Sequence, residues 1–149
     1  NTVSVTIPVG TNPYVVAVDA AAKRVYVTNF DSNNVSVIDS EHNTVSVTIP
    51  VGTNPYVVAV DAAAKRVYVG NINSNNVSVI DSEHNTVSVT IPVGTSPYGV
   101  AVDAAAKRVY VANGNSNNVS VIDSTNNSVV FTLGGFSSPR SIAVNPPSL

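Results

Sequence analysis

The chain has 149 residues, a formal net charge of −2 and only 11% charged residues, against 44% hydrophobic ones. Charge this sparse leaves no basic stripe for nucleic acid and no polybasic segment for an anionic lipid surface. The apolar runs, broken by Ser, Thr, Asn and Pro, are too short for a membrane span, and without Cys there is neither a disulfide framework nor thiolate chemistry.

From the N-terminus, TVSVTI (2–7) alternates Val3, Val5 and Ile7 with Ser4 and Thr6, the pattern of a strand with one wet face. Pro8, Gly10 and Pro13 punctuate a link into YVVAVD (14–19), an apolar strand rich in Val. Asp19-Ala-Ala-Ala-Lys23 predicts a tight hairpin whose Asp bonds its own turn backbone, with Lys23 completing a clasp. RVYVTN (24–29) is the next strand. A polar loop tolerant of left-handed backbone, Asn29 to Asn34, leads into the strand NVSVID (34–39). A short hairpin, Asp39 to Asn43, then returns to a second TVSVTI. Ala20 to Ala22 are too few to nucleate a helix, and no segment carries a helical period.

Residues 1–42 recur at 43–84 with three changes: Thr28 becomes Gly70, Phe30 becomes Ile72 and Asp31 becomes Asn73. A third copy at 85–126 differs from the second at six positions, and a degraded half copy runs from Asn127 to Asn145. Near-identity at this period means one unit stacked on itself. The expected fold is all-β, with β-propeller-type four-stranded antiparallel blades and about three and a half 42-residue repeats. A blade lies between two others and so needs strands apolar on both faces; YVVAVD and RVYVTN fit the inner positions. A β-solenoid competes, although its coils are usually shorter and need fewer tight reversals.

VYVTN (25–29), with its echoes VYVGN (67–71) and VYVAN (109–113), resembles the signature of the YVTN-repeat β-propellers. The surrounding pattern is similar to that family over nearly the whole chain, most closely from Ser96 to Asp123. The resemblance implies that YVVAVD is the innermost strand, RVYVTN and NVSVID the next two, and NTVSVTI the outer strand of the preceding blade. It implies a single array over 1–149, with 1–10 as the outer strand of a preceding blade, 11–52, 53–94 and 95–136 as three blades, and 137–149 as the inner strand of a partial fourth. It also implies an archaeal or bacterial surface-layer or cell-surface setting, although YVTN-like propellers occur in some redox enzymes too.

A ring takes roughly four to eight blades. The chain is therefore expected to associate with itself, as a dimeric ring or a head-to-tail filament, through unpaired edges and end faces rich in Val and Tyr. Asn1 opens inside a repeat without an initiator Met, which implies a processed product or an excerpt. The expected location is extracellular or at the cell surface, with glycans or other surface proteins as further partners.

The copies disagree at seven columns. Three are assigned to the loop after RVYVTN: Thr28/Gly70/Ala112, Phe30/Ile72/Gly114 and Asp31/Asn73/Asn115. Two flank the start of YVVAVD: Asn12/Asn54/Ser96 and Val15/Val57/Gly99. These five fall on or near one face of the disc and make it the candidate binding face; simple loop drift explains the same variation. The other two, Glu41/Glu83/Thr125 and His42/His84/Asn126, lie on an outer hairpin. Asp-Ser-Glu-His offers fewer ligands than a structural zinc site takes, and Asp31-Ser-Asn-Asn lacks the acids of a calcium loop, so both read as turns and no metal is expected. Tyr14, Tyr56 and Tyr98 suit a pocket for a sugar or flat ligand, or interblade packing. Packing with the hydroxyl at an edge is also the reading for Tyr26, Tyr68 and Tyr110. Arg140 replaces the Tyr of the Tyr14, Tyr56 and Tyr98 column in the half copy and is expected to mark a seam contact. Asn34, Asn76, Asn118 and Asn126 each begin an Asn-x-Ser sequon, a candidate glycosylation site. No catalytic constellation, phosphate loop or cofactor motif appears. The functional expectation is a non-catalytic structural or adhesive repeat protein. The alternatives are a glycan-binding propeller and a fragment of a YVTN-like propeller enzyme.

Overall fold

The computed structural model describes residues 2–145. The first copy folds as β1 (Pro13–Asp19), β2 (Arg24–Asn29), β3 (Asn34–Asp39) and β4 (Thr44–Pro50), hydrogen-bonded in that order as one sheet. The second gives β5 (Pro55–Asp61), β6 (Arg66–Asn71), β7 (Asn76–Asp81) and β8 (Thr86–Pro92). The third gives β9 (Pro97–Asp103), β10 (Arg108–Asn113), β11 (Asn118–Asp123) and β12 (Ser128–Leu133). Every ladder is antiparallel and joins sequence neighbours.

The turns explain the regularity. Each within-blade turn of the first copy ends on a left-handed residue: Lys23 (φ 55°), Asn33 (φ 56°) and Asn43 (φ 55°). Asn12 (φ 54°) does the same at the end of the link into β1. Asn tolerates this conformation readily, but lysine does so at a cost, and only the Asn-rich loop is expected from sequence to need it. Asp19 Oδ1 accepts the Ala22 N–H at 3.0 Å, as the turn sequence predicts. Lys23 does not close that clasp; it reaches across to the Glu41 carboxylate instead.

The blades stack as wedges. β1 packs closely on β5 and β5 on β9, whereas β4 and β8 barely meet, so the first strands converge on a hub and the fourth strands splay outward. This is propeller geometry. Tyr26, Val35 and Val37 of the first blade pack with Val58, Val67 and Val69 of the second; Tyr68, Val77 and Val79 repeat this against Val100, Val109 and Val111. The most deeply buried strands are the second and third of each blade rather than the first and second. The reason is that the first strand has the hub on one edge, while the third is paired on both. Ser36 on β3 hides this in the sequence: it is buried, and its hydroxyl accepts a hydrogen bond from Asn29 Nδ2 at 2.9 Å. Asn71 with Ser78 and Asn113 with Ser120 repeat the pair.

Tyr26 and Tyr68 are fully buried between blades with their hydroxyls unpaired, not placed at an edge. Burial pushes the Tyr68 hydroxyl above its ordinary value. Tyr110, with no further blade packed over it among the described residues, is only partly buried. Residues 2–9 and 137–145 belong to no sheet, because neither has a neighbouring strand to pair with among the described residues. Asn1 and 146–149, the remainder of the expected outer strand and partial blade, lie outside the described residues.

Candidate functional site

The links that deliver each first strand to the hub gather on one face with the turns that follow each second strand. Phe30 N–H donates to the Asn12 carbonyl at 2.9 Å, and the same bond recurs from Ile72 to Asn54 and from Gly114 to Ser96. Asn33 Oδ1 accepts the Asn54 N–H of the next blade at 2.8 Å. Asn75 does the same for Ser96 and Asn117 for Ser138, so the half copy continues the blade-to-blade pattern.

A row of rings crosses this face. Tyr14 lies 4.6 Å from Tyr56, centroid to centroid, and Tyr56 lies 5.3 Å from Tyr98 edge to face. Phe30 extends the row at one end, 5.5 Å from Tyr14. At the other end the Arg140 guanidinium stands 4.6 Å over the Tyr98 ring. Arg140 holds the fourth place in the column of Tyr14, Tyr56 and Tyr98. Tyr14 is 52% exposed, and Tyr56 and Tyr98 are half-buried. Each of these rings can be found in the sequence; their juxtaposition cannot, because it depends on the wedge angle between blades.

The candidate residues divide. Asn12, Asp31, Asn73 and Asn115 are exposed on the face, while Phe30 and Asn54 are half-buried beside the rings. Ile72, Ser96 and Gly114 are buried beneath it. Asn73 Nδ2 bonds Asn54 Oδ1, and Asn115 Nδ2 bonds Ser96 Oγ at 2.9 Å. Thr28, Gly70 and Ala112 are not loop residues: they sit inside β2, β6 and β10, fully buried, because the ladder extends one residue beyond them to Asn29, Asn71 and Asn113. Thr28 Oγ1 accepts the Val15 N–H at 3.0 Å. The glycines at the varying columns make room: a methyl at Gly114 would lie 2.5 Å from the Tyr98 ring, and one at Gly99 would lie 3.1 Å from Ser141 Cα. Much of the variation is therefore fit between neighbours.

The four sequons are unlike. Asn34, Asn76 and Asn118 are half-buried, and each side-chain carbonyl accepts from a buried Asn amide at 2.7 to 2.9 Å. Asn126 is exposed, and its Oδ1 accepts from the Ser128 hydroxyl at 2.7 Å. On the opposite side of the disc, His42 and His84 each donate from Nδ1 to Asp39 and Asp81 at 2.8 Å. The His84 ring bond holds the Asp81 carboxyl below its usual range, and the same bond pushes the imidazole up. No group of three His, Asp or Glu side chains converges to hold a metal among the described residues, and no helix is long and apolar enough to cross a membrane.

No protein-family model matches the chain, and no curated protein does. Solved structures do. Hydrazine synthase of Kuenenia stuttgartiensis superposes with a TM-score of 0.86 at 24% identity, over 98% of this chain and 43% of that one. U3-55K gives 0.81 at 15% identity, over 90% and 43%. Apo AztD from Citrobacter koseri gives 0.67 at 18% identity, over 80% and 34%. These neighbours are propeller or WD40-like proteins. The chain is a run of propeller blades. It spans less than half the length of each of these structures, and likeness at such identities speaks for fold alone.

Proposed function

We propose that the chain is a non-catalytic structural or adhesive propeller array, extracellular or at the cell surface, of the kind its YVTN-like repeats resemble, and that it self-associates through its blade faces. The observation that supports this is a repeated latch left open. Arg24 Nη1 donates to the Ser82 carbonyl of the next blade, and Arg66 donates to that of Ser124 in the same way. Arg108, in the same column, meets no following blade among the described residues and pairs with Asp123 at 2.8 Å. The opposite end face presents Val16 and Val18, 59% and 61% exposed, at positions where the second blade buries Val58 in an interblade core. An apolar surface of this kind favours a partner. Light scattering on the purified 149-residue polypeptide at micromolar concentration is expected to give a multiple of 15.4 kDa. Val16→Lys with Val18→Lys should return it to one chain; a wild-type mass of one chain refutes the reading.

A second reading, that the loop face binds a saccharide, is favoured by one observation, the partly exposed row of Tyr14, Tyr56 and Tyr98.

A further inference from the structure

We propose that this face takes an acidic oligosaccharide, one bearing a single uronic-acid carboxylate, with its pyranose rings on the tyrosines and the carboxylate on Arg140; the proposal rests on the saccharide reading above. The C–H face of a pyranose is apolar and lies readily on an aromatic ring, while its hydroxyls reach for polar atoms at the rim. The rings of Tyr14 and Tyr56 supply the platform. The exposed carboxamides of Asn73 and Asn115 stand on the same face and offer the rim.

Arg140 decides the charge. Arg140 is exposed, its guanidinium carbon stands 4.6 Å from the centroid of the Tyr98 ring, and it makes no hydrogen bond or ion pair with any described residue. An exposed guanidinium without a protein partner offers its N–H groups as a fork that matches a carboxylate. The other cations lie elsewhere: Lys23 and Lys65 pair with Glu41 and Glu83 on the opposite side of the disc, Lys107 holds the same turn position there, Arg24 and Arg66 bind backbone between blades, and Arg108 pairs with Asp123. One free cation on this face suits a single carboxylate among sugar rings. It does not suit a phosphate backbone, which would need a track of cations. Asp31, exposed beside Phe30 at the far end of the row, repels a second acid there and fixes the direction of the ligand.

The test is calorimetric titration of the whole chain with a xylo-oligosaccharide that carries a single glucuronic acid at one end, and with its methyl ester, which keeps the rings and removes the charge. The acid should bind about tenfold more tightly than the ester. Arg140→Ala should bring the two to equal affinity, and Tyr14→Ala should weaken both; both side chains are exposed, so the fold should survive. Lys23→Ala, on the opposite side, should change neither. Equal binding of acid and ester to the wild-type chain overturns the acidic preference while leaving the saccharide reading in place. Absence of binding to either at millimolar concentration overturns both. An oligothymidylate that competes as well as the acid assigns the face to nucleic acid instead and overturns the proposal.

Discussion

The pair formed by Val57 and Gly70 offers a sharp test of whether the differences between copies are drift or fit. They face each other across the β5–β6 ladder, and a methyl at position 70 would lie 2.7 Å from Val57 Cγ1. In the third blade the sizes are exchanged: Gly99 faces Ala112. Gly70→Ala alone should therefore overpack the junction and cost about 1–3 kcal/mol. Val57→Gly alone removes a half-buried side chain and loosens a strand, costing about 2 kcal/mol. The double variant rebuilds the third blade's pair inside the second. It should be about as stable as Val57→Gly by itself, a favourable coupling of about 1–3 kcal/mol. Urea unfolding of wild type, both single variants and the double, at one protein concentration, gives the four free energies. Costs that add to within about 0.5 kcal/mol would refute the reasoning and return these columns to drift.

Arg66→Ala should destabilise the chain by about 1.5–3 kcal/mol, because it strips a charge-assisted bond to the Ser124 carbonyl. Arg108→Ala, losing only a partly exposed ion pair, should cost less than about 1 kcal/mol in the same urea titration. The imidazole of His84 should titrate by NMR above the ordinary value of about 6.5. Its contribution to stability is complete below the unfolded pKa and is lost as pH rises through the raised folded value; that of Asp81, held low, is lost as pH falls through its lowered one. An unshifted His84 resonance would remove the pair from the account. Expressed through a glycosylating secretory pathway, the chain should carry a glycan at Asn126 and none at Asn34, Asn76 or Asn118. Peptide mass spectrometry that finds Asn76 occupied would contradict this, since its side-chain carbonyl is tied to buried Asn71.

The blades were legible because their signals are local. Val- and Thr-rich runs bounded by Asp, Lys and Asn turns define RVYVTN and NVSVID with the same bounds as β2 and β3. What depends on relations between blades was not legible. NVSVID is not among the strands expected at the inner positions, yet Ser36 is buried because its partner Asn29 arrives from β2. Thr28 is assigned to the loop because its column varies beside those of Phe30 and Asp31, although the strand pattern RVYVTN already contains it; the ladder keeps it in β2, paired with Val35. In the candidate site, Tyr14 and Tyr56 stand 42 residues apart, and no pattern along the chain says that their rings lie 4.6 Å from each other. Lys23 in a left-handed turn was hidden because lysine carries no preference for that conformation.

Every ladder in the described residues joins strands that follow one another in sequence. A blade can therefore complete its hydrogen bonding once its own residues have left the ribosome, without waiting for a distant strand. The same locality bears on inheritance. Insertion or loss of one repeat at the gene level leaves the ladders of all other blades intact and alters only the junctions where the change was made. Near-identical copies, which in many folds would invite mispairing between equivalent strands, are tolerable here because each strand meets its proper partner first. A chain built this way can change length faster than it changes fold.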